Sequence, residues 1–402
     1  MEITIIFVTV FSLMYYCYRF FVSNNEILLL PIFYSTLVLY TILGCLWGTY
    51  SIHTPFNLYS LIKEEDVLYG AFLFNFAAFS FYLGSLTFKP NVNVVSHGGF
   101  SIKHQKTVIF FLLSLILIYC FGYGLEALFY RQGYIDDNFE RNAAVLKLFF
   151  LLSPFFIVLI PFIESRLVKK LIYVVYFLVL FSASSRFVVM VPFLYVVGSY
   201  LKDKKLDIYV TMTNAFIILL SLLIVLEIRN NTYHGLIPNL SYVIKNGVDL
   251  EFLIYGLNYA FSFSLFGLSF VTSNTSFSHD PVAFWIGLSP LPGRFYDMTL
   301  LESQRMLGTS PMSAMSILSL AGTEVLAIYY FLSGIVFSFI LSKLKNVSIL
   351  YYVVIGLFVI FSLFSVQYNL RGLSRFLYYS ICCYGVFLFK MVLLKYFPKK
   401  RH

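Results

Sequence analysis

Charge is what this chain has least of. Asp, Glu, Lys and Arg make up 12% of its 402 residues, against 60% hydrophobic and 20% aromatic, and mean hydropathy is +0.84. Apolar stretches of about 18 or more residues recur along it, each long enough to cross a bilayer, which excludes a soluble domain. Short alternating strands are missing, which excludes a β-barrel. The first apolar stretch, Ile3 to Phe21, has neither a basic leader nor an A-x-A site, so it reads as a span and not as a removable signal. The cysteines Cys17, Cys45, Cys120, Cys382 and Cys383 sit in apolar segments without metal-ligand or disulfide spacing and read as small buried hydrophobes. There is no phosphate loop, no glycine-rich dinucleotide fingerprint, no H-E-x-x-H and no nucleophile elbow. Nucleotide-driven pumping, a cofactor and a metal are therefore not expected. The formal charge of +9 reads as a topology device beside membrane spans and not as a nucleic-acid surface.

What is present is an all-α polytopic membrane protein. Eleven spans are expected, near 3–22, 27–48, 67–88, 107–128, 145–164, 171–185, 187–201, 208–228, 324–342, 347–367 and 374–394. They divide the chain into an N-terminal bundle (1–228), a large loop (229–323) and a C-terminal part (324–402). Connectors carrying Lys103, Lys106, Arg166, Lys169, Lys170, Lys202, Lys205 and Lys343, with the tail Lys399, Lys400 and Arg401, are cytoplasmic by the positive-inside rule. The N-terminus is then outside and the C-terminus inside. The loop holds a further apolar stretch, 252–271, expected as an interfacial or re-entrant helix because a twelfth span would put the basic tail outside.

Arginine departs from that rule. Arg131, Arg141, Arg186, Arg229, Arg294, Arg305, Arg371 and Arg375 all fall on the outer side, and only Arg19, Arg166 and Arg401 fall inside. Unlike lysine, the guanidinium fork grips a pair of phosphate oxygens, so this bias predicts an outer site for a phosphorylated ligand. Arg186 follows Ser182-Ala183-Ser184-Ser185, where two short segments meet across 171–201. Each is about 15 residues and reaches about 22 Å, so Arg186 is expected below the outer membrane surface, where a charge marks function. Arg371 and Arg375 lie one helical turn apart and are expected to share a face. Arg186, Arg229, Arg294, Arg305, Arg371 and Arg375 are the diphosphate-binding candidates. Arg131 and Arg141, with Asp136, Asp137 and Glu140 nearby, read more simply as loop ion pairs.

A transfer reaction also needs a base for the acceptor hydroxyl. Outer candidates are His53, His234, His279, Asp280, Asp297, Glu302 and Glu324, with His279 and His234 as the leading pair. His279 stands beside Asp280, which would orient and tune it, although its polar surroundings also fit a solvated loop histidine. Glu324 opens a span and also fits a helix N-terminus. Asp136-Asp137 reads as a solvated acidic loop.

The organisation resembles the O-antigen polymerase (Wzy-type) family of bacterial inner-membrane proteins. The resemblance lies in the many spans, the short broken pair ending in Ser-Ser-Arg, one large late outer loop with scattered arginines, and two or three spans after it. Ser-Pro-Leu-Pro-Gly-Arg (Ser289 to Arg294) is similar to loop stretches of enterobacterial members. It implies a GT-C-like architecture with one large periplasmic loop. It also implies a metal-independent, inverting transferase that moves a growing glycan from one undecaprenyl diphosphate onto another lipid-linked repeat unit. The partners are then the undecaprenyl-diphosphate-linked oligosaccharide, membrane lipid and a chain-length regulator protein. The related O-antigen ligases, which use an outer-loop histidine, are the alternative enzyme. A lipid-linked oligosaccharide flippase is the alternative outside catalysis, and the nearly charge-free spans and the single asymmetric loop count against it.

Overall fold

The computed structural model describes residues 2–23, 25–47, 55–88, 102–132, 142–184, 186–203, 205, 207–228, 231–247, 250–301, 304–307, 310–344 and 348–396. It is mostly helical. In chain order run α1 (Glu2–Ser23), α2 (Leu29–Leu46), α3 (Glu64–Ser85), α4 (Ile102–Tyr123), α5 (Leu125–Phe129), β1 (Arg131–Gln132), α6 (Ala143–Ile157), α7 (Arg166–Ser182), α8 (Met190–Asp203) and α9 (Ile208–Ile228). Then come β2 (Tyr233–His234), α10 (Leu236–Asn246), α11 (Leu250–Phe261), α12 (Phe263–Ser273), α13 (Pro281–Leu288), β3 (Arg305–Leu307), β4 (Ser310–Pro311), α14 (Ala314–Ala321), α15 (Thr323–Leu344), α16 (Ser348–Phe364) and α17 (Leu370–Tyr396).

Seven of these helices are long and apolar enough to cross a membrane: Ile3–Ser23, Glu26–Leu46, Glu64–Ser85, Gln105–Tyr123, Ile208–Val225, Thr323–Leu344 and Leu370–Val392. The protein is a multi-pass helical membrane protein. The expected eleven spans exceed this count because four of the apolar segments fold as shorter helices. α6 has 15 residues and carries Pro154, α7 has 17, α8 has 14 and α16 has 17. At 1.5 Å per residue none of these reaches the roughly 30 Å of a hydrocarbon core. The 252–271 stretch folds as α11 and α12, bent by 54° at Ser262, a broken span or a re-entrant loop. Every residue from Phe263 to Val271 is buried and α12 packs on α3, which a helix lying on the membrane surface would not do.

The chain groups into two compact units, Met1–Val95 with Leu257–His402, and Ser96–Gly256. In the first, α3 and α15 pack closest. A Cβ on Gly84 would stand 2.0 Å from Phe331 O, and one on Gly334 would stand 2.3 Å from Phe81 O. Without a hydrophobic drive inside lipid, such backbone contact is what holds two spans together. Some polar groups pair between spans, whereas Ser35 Oγ, Asn75 Oδ1 and Ser264 Oγ are buried without a hydrogen-bond partner among the described residues. Tyr34 Oη bonds Tyr330 Oη at 2.8 Å and Ser365 Oγ at 2.5 Å, and Tyr351 Oη donates to the buried Glu26 Oε2 at 3.1 Å. In the second unit, α4 packs on α6, and α10 packs on α5, α7 and α9. β1 and β2 pair antiparallel, with Arg131 opposite His234.

Candidate functional site

The second unit holds a buried polar cluster at the end of α7. The helix stops at Ser182, Ser184 takes a left-handed backbone (φ +50°), and a 3-10 turn begins at Arg186. A serine in that conformation costs about 1–2 kcal/mol, so the surroundings hold it there. Three side chains do so. Asn239 on α10 donates Nδ2 to Phe181 O at 2.9 Å and to Ser184 Oγ at 3.2 Å. His234 on β2 sets Nδ1 3.0 Å from Ser184 Oγ. Arg131 on β1 donates Nη2 to Ala183 O at 2.9 Å. The two-residue ribbon thus brings an arginine and a histidine, 103 residues apart in sequence, onto one helix end.

Both are sealed in: Arg131 is 2% exposed and His234 1%. Arg131 lies over the Tyr123 ring at 5.3 Å, a cation–π contact that offsets part of its desolvation. Yet its Nε and Nη1, together with Asn239 Oδ1, meet no hydrogen-bond partner among the described residues. A buried polar group without a partner costs roughly 1–3 kcal/mol, more if charged. Arg131 therefore keeps donors on two nitrogens, Nε and Nη1, while Nη2, which both bidentate edges of the guanidinium share, already gives one N–H to Ala183 O. Where the Ser184 hydroxyl donates to His234 Nδ1, the neutral ring keeps its proton on Nε2 and offers a donor there. Where Nδ1 donates, Nε2 is a base.

The first unit uses an arginine differently. Arg371, on the first turn of α17 and 4% exposed, donates Nη1 to Ile286 O at 2.6 Å and Nη2 to Leu291 O at 2.7 Å. Those carbonyls lie at and just beyond the C-terminus of α13, where unpaired carbonyls and the negative end of the helix dipole favour a cation. Tyr378 donates to Leu288 O, and Ser289 Oγ bonds Tyr296 Oη at 2.6 Å, so the Leu288–Tyr296 segment is stapled to α17. Arg371 keeps only Nε unpartnered and sits over the Tyr296 ring at 5.6 Å. This is a positioning arginine. Arg375, one turn on along the same continuous helix, shares the face that the spacing predicts but is exposed where Arg371 is buried. The reason is local: the carbonyls of Ile286 and Leu291 draw Arg371 inward and leave Arg375 outside.

The remaining candidates are scattered. Arg294 is exposed over the Phe295 ring at 5.1 Å, and Arg305 is exposed on β3. Arg186 begins the 3-10 turn Arg186–Val189, and its side chain lies outside the described residues, as do Arg229, Arg141, Asp136, Asp137, Glu140, His53 and Glu302. His279 is exposed with its ring against Phe284 at 5.2 Å. Its neighbour does not orient it: Asp280 Oδ1 caps α13, accepting from Val282 N at 2.9 Å and Ala283 N at 3.1 Å. Asp297 is spent in the same way on Thr299, whose hydroxyl and amide hold its carboxyl below the usual range. Glu324 is exposed in the first turn of α15, where its charge complements the helix dipole.

Sequence reasoning missed Arg131, Ser184 and Asn239. The acids at 136, 137 and 140, which suggested loop pairing for Arg131, lie outside the described residues, and Arg131 is buried with Nη2 on the Ala183 carbonyl. The usable signal was its place, two residues beyond the end of α5 and eight beyond α4, at a span end. No protein-family model matches the chain, and none of the curated proteins or solved structures compared with it does.

Proposed function

We propose that the chain is a glycosyltransferase of the O-antigen polymerase kind, acting at the periplasmic face of a bacterial inner membrane, with its N-terminus periplasmic and its C-terminus cytoplasmic. The observation that carries this reading is Arg131, a buried guanidinium whose Nε and Nη1 have no partner among the described residues, paired across the ribbon with His234 at the end of α7. Such a group is stabilised by an anion, and an anion at a span end is what a lipid-linked diphosphate presents.

In the proposed reaction a hydroxyl at the non-reducing end of one lipid-linked repeat unit attacks the anomeric carbon of a glycan on a second undecaprenyl diphosphate. The new glycosidic C–O bond forms as the bond to the diphosphate oxygen breaks, with inversion. The hydroxyl proton passes to a base, for which His234, in the same unit as Arg131, is the candidate, and the bonding pair leaves with the diphosphate. Arg131 stabilises the charge that grows on that leaving group. The leaving group is already activated, so no nucleotide is required. The arginines of the stapled loop, Arg294 and Arg305, and Arg375 are exposed and suit recruitment of anionic lipid more than the reacting centre. A chain-length regulator is the expected protein partner.

Deleting the gene and separating surface lipopolysaccharide on a gel tests the reading. Collapse of the ladder to one repeat unit on the core supports polymerisation. Complete loss of O-antigen overturns it in favour of a flippase or ligase, and polymer accumulating on periplasmic undecaprenyl carriers singles out the ligase.

A further inference from the structure

The ribbon that carries Arg131 and His234 has a second face. Leu125 and Phe129 on α5, Tyr130 and Tyr233 flanking the ribbon, and Ile237 and Ile244 on α10 are all exposed large apolar side chains, Ile244 at 81%. They form one surface. Tyr130 stacks on Tyr233 at 5.5 Å between ring centroids, and α5 packs on α10. Gly235 (φ +109°) lets the two segments touch, since a Cβ there would meet the Phe129 carbonyl at 2.7 Å. On α10 the positions 237, 240 and 244 recur at helical spacing and are all exposed, while Asn239, on the other face, is fully buried in the polar cluster.

The place of this surface identifies what covers it. α4 is long and apolar enough to cross a membrane, with Leu117 and Phe121 exposed along it, and α5 follows after Gly124 alone, where the helix breaks (φ +84°). In a bilayer α4 ends at the interface, so the surface that begins with Leu125 lies where lipid is at hand. Its charged groups, Glu126 and Lys245, are exposed beside the apolar side chains, as at headgroup level, and its two tyrosines suit that depth.

We infer that α5, the β1–β2 ribbon and α10 form a collar that lies in the membrane–water interface, with Ile237, Ile244, Leu125 and Phe129 among the acyl chains. The collar deepens the reading above: it sets the buried Arg131 and His234 at the depth of lipid phosphates, on the bilayer side of the polar cluster. It rests on that reading only for the identity of the ligand, not for its own position.

The test uses the full chain in lipid nanodiscs at one copy per disc. Ile237→Cys, Ile244→Cys and Lys245→Cys are spin-labelled, and the signal of the labelled parent chain, whose five cysteines lie in spans, is subtracted. Labels at 237 and 244 should collide several-fold more with oxygen than with a water-soluble nickel chelate, and the label at 245 should reverse that order. Greater nickel access at 237 and 244 would mean a water-exposed face and overturns the collar. Low access to both probes would mean a protein partner covers it and also overturns it. Positive depths without polymerase activity in the host would defeat only the reaction. Active protein with water-exposed labels would defeat only the collar.

Discussion

Arg131 carries the sharpest test at the scale of single residues. Replacing it by glutamine removes the charge and the fork but keeps much of the side-chain length. We expect at least a 10-fold loss of long-chain polymer in a complemented deletion strain, with membrane levels of the protein retained. Arg131→Lys should rescue little, because an ammonium is a point charge without bidentate geometry. Wild-type ladders from Arg131→Gln would refute its role. Asn239 is different: it holds Phe181 O and Ser184 Oγ, so Asn239→Ala should cost about 1–3 kcal/mol of stability by stranding buried groups. A thermal-shift measurement in detergent should show a lower melting temperature for this variant, and an unchanged one would mean that Ser184 holds its conformation unaided. Neither role is legible from local sequence. Asn239 reads as an ordinary helix position in Leu-Ile-Pro-Asn-Leu, and nothing within ten residues of Arg131 names His234 or Ala183 as its neighbours.

Between elements, short-range chemistry and close packing decide. The Ser289–Arg294 stretch was singled out by its prolines and arginine, but Arg371 is what gives it a fixed place, through two carbonyls 85 and 80 residues away. Arg371→Met should free that segment. We expect trypsin to cut after Arg294 about ten times faster than in the parent chain, and equal rates would show that Tyr378 and the Ser289–Tyr296 bond suffice. Between α3 and α15 the limit is steric. Gly334→Leu would drive a side chain into the Phe81 carbonyl, and overpacking of this kind costs about 1–3 kcal/mol or more. The variant should accumulate poorly in membranes, whereas Leu332→Phe, two residues away on the exposed side of α15, should be milder. Pulse-chase of the two variants compares them directly.

For the whole molecule, hydropathy sufficed for class, whereas helix length separates seven long spans from four shorter apolar helices among the described residues. Seven long spans, the bent pair α11–α12 and four short apolar helices share one composition, because lipid-facing and protein-buried apolar surface read alike in sequence. The grouping into two units is likewise set by packing: residues from Leu257 onward belong with Met1–Val95. What the chain determined by itself is that it is helical and membrane-embedded and that a helix ends at Ser182, since turn chemistry and apolar length are both local. Tertiary structure alone decided which arginines matter and how. A guanidinium's role follows from the acceptors around it. Arg371 met two backbone carbonyls and became a staple, Arg375 and Arg294 met open surroundings, and Arg131 met one carbonyl and a tyrosine face, leaving Nε and Nη1 without a partner among the described residues. The carbonyl acceptors lie 52, 80 and 85 residues away in sequence, and no pattern along the chain encodes that distance.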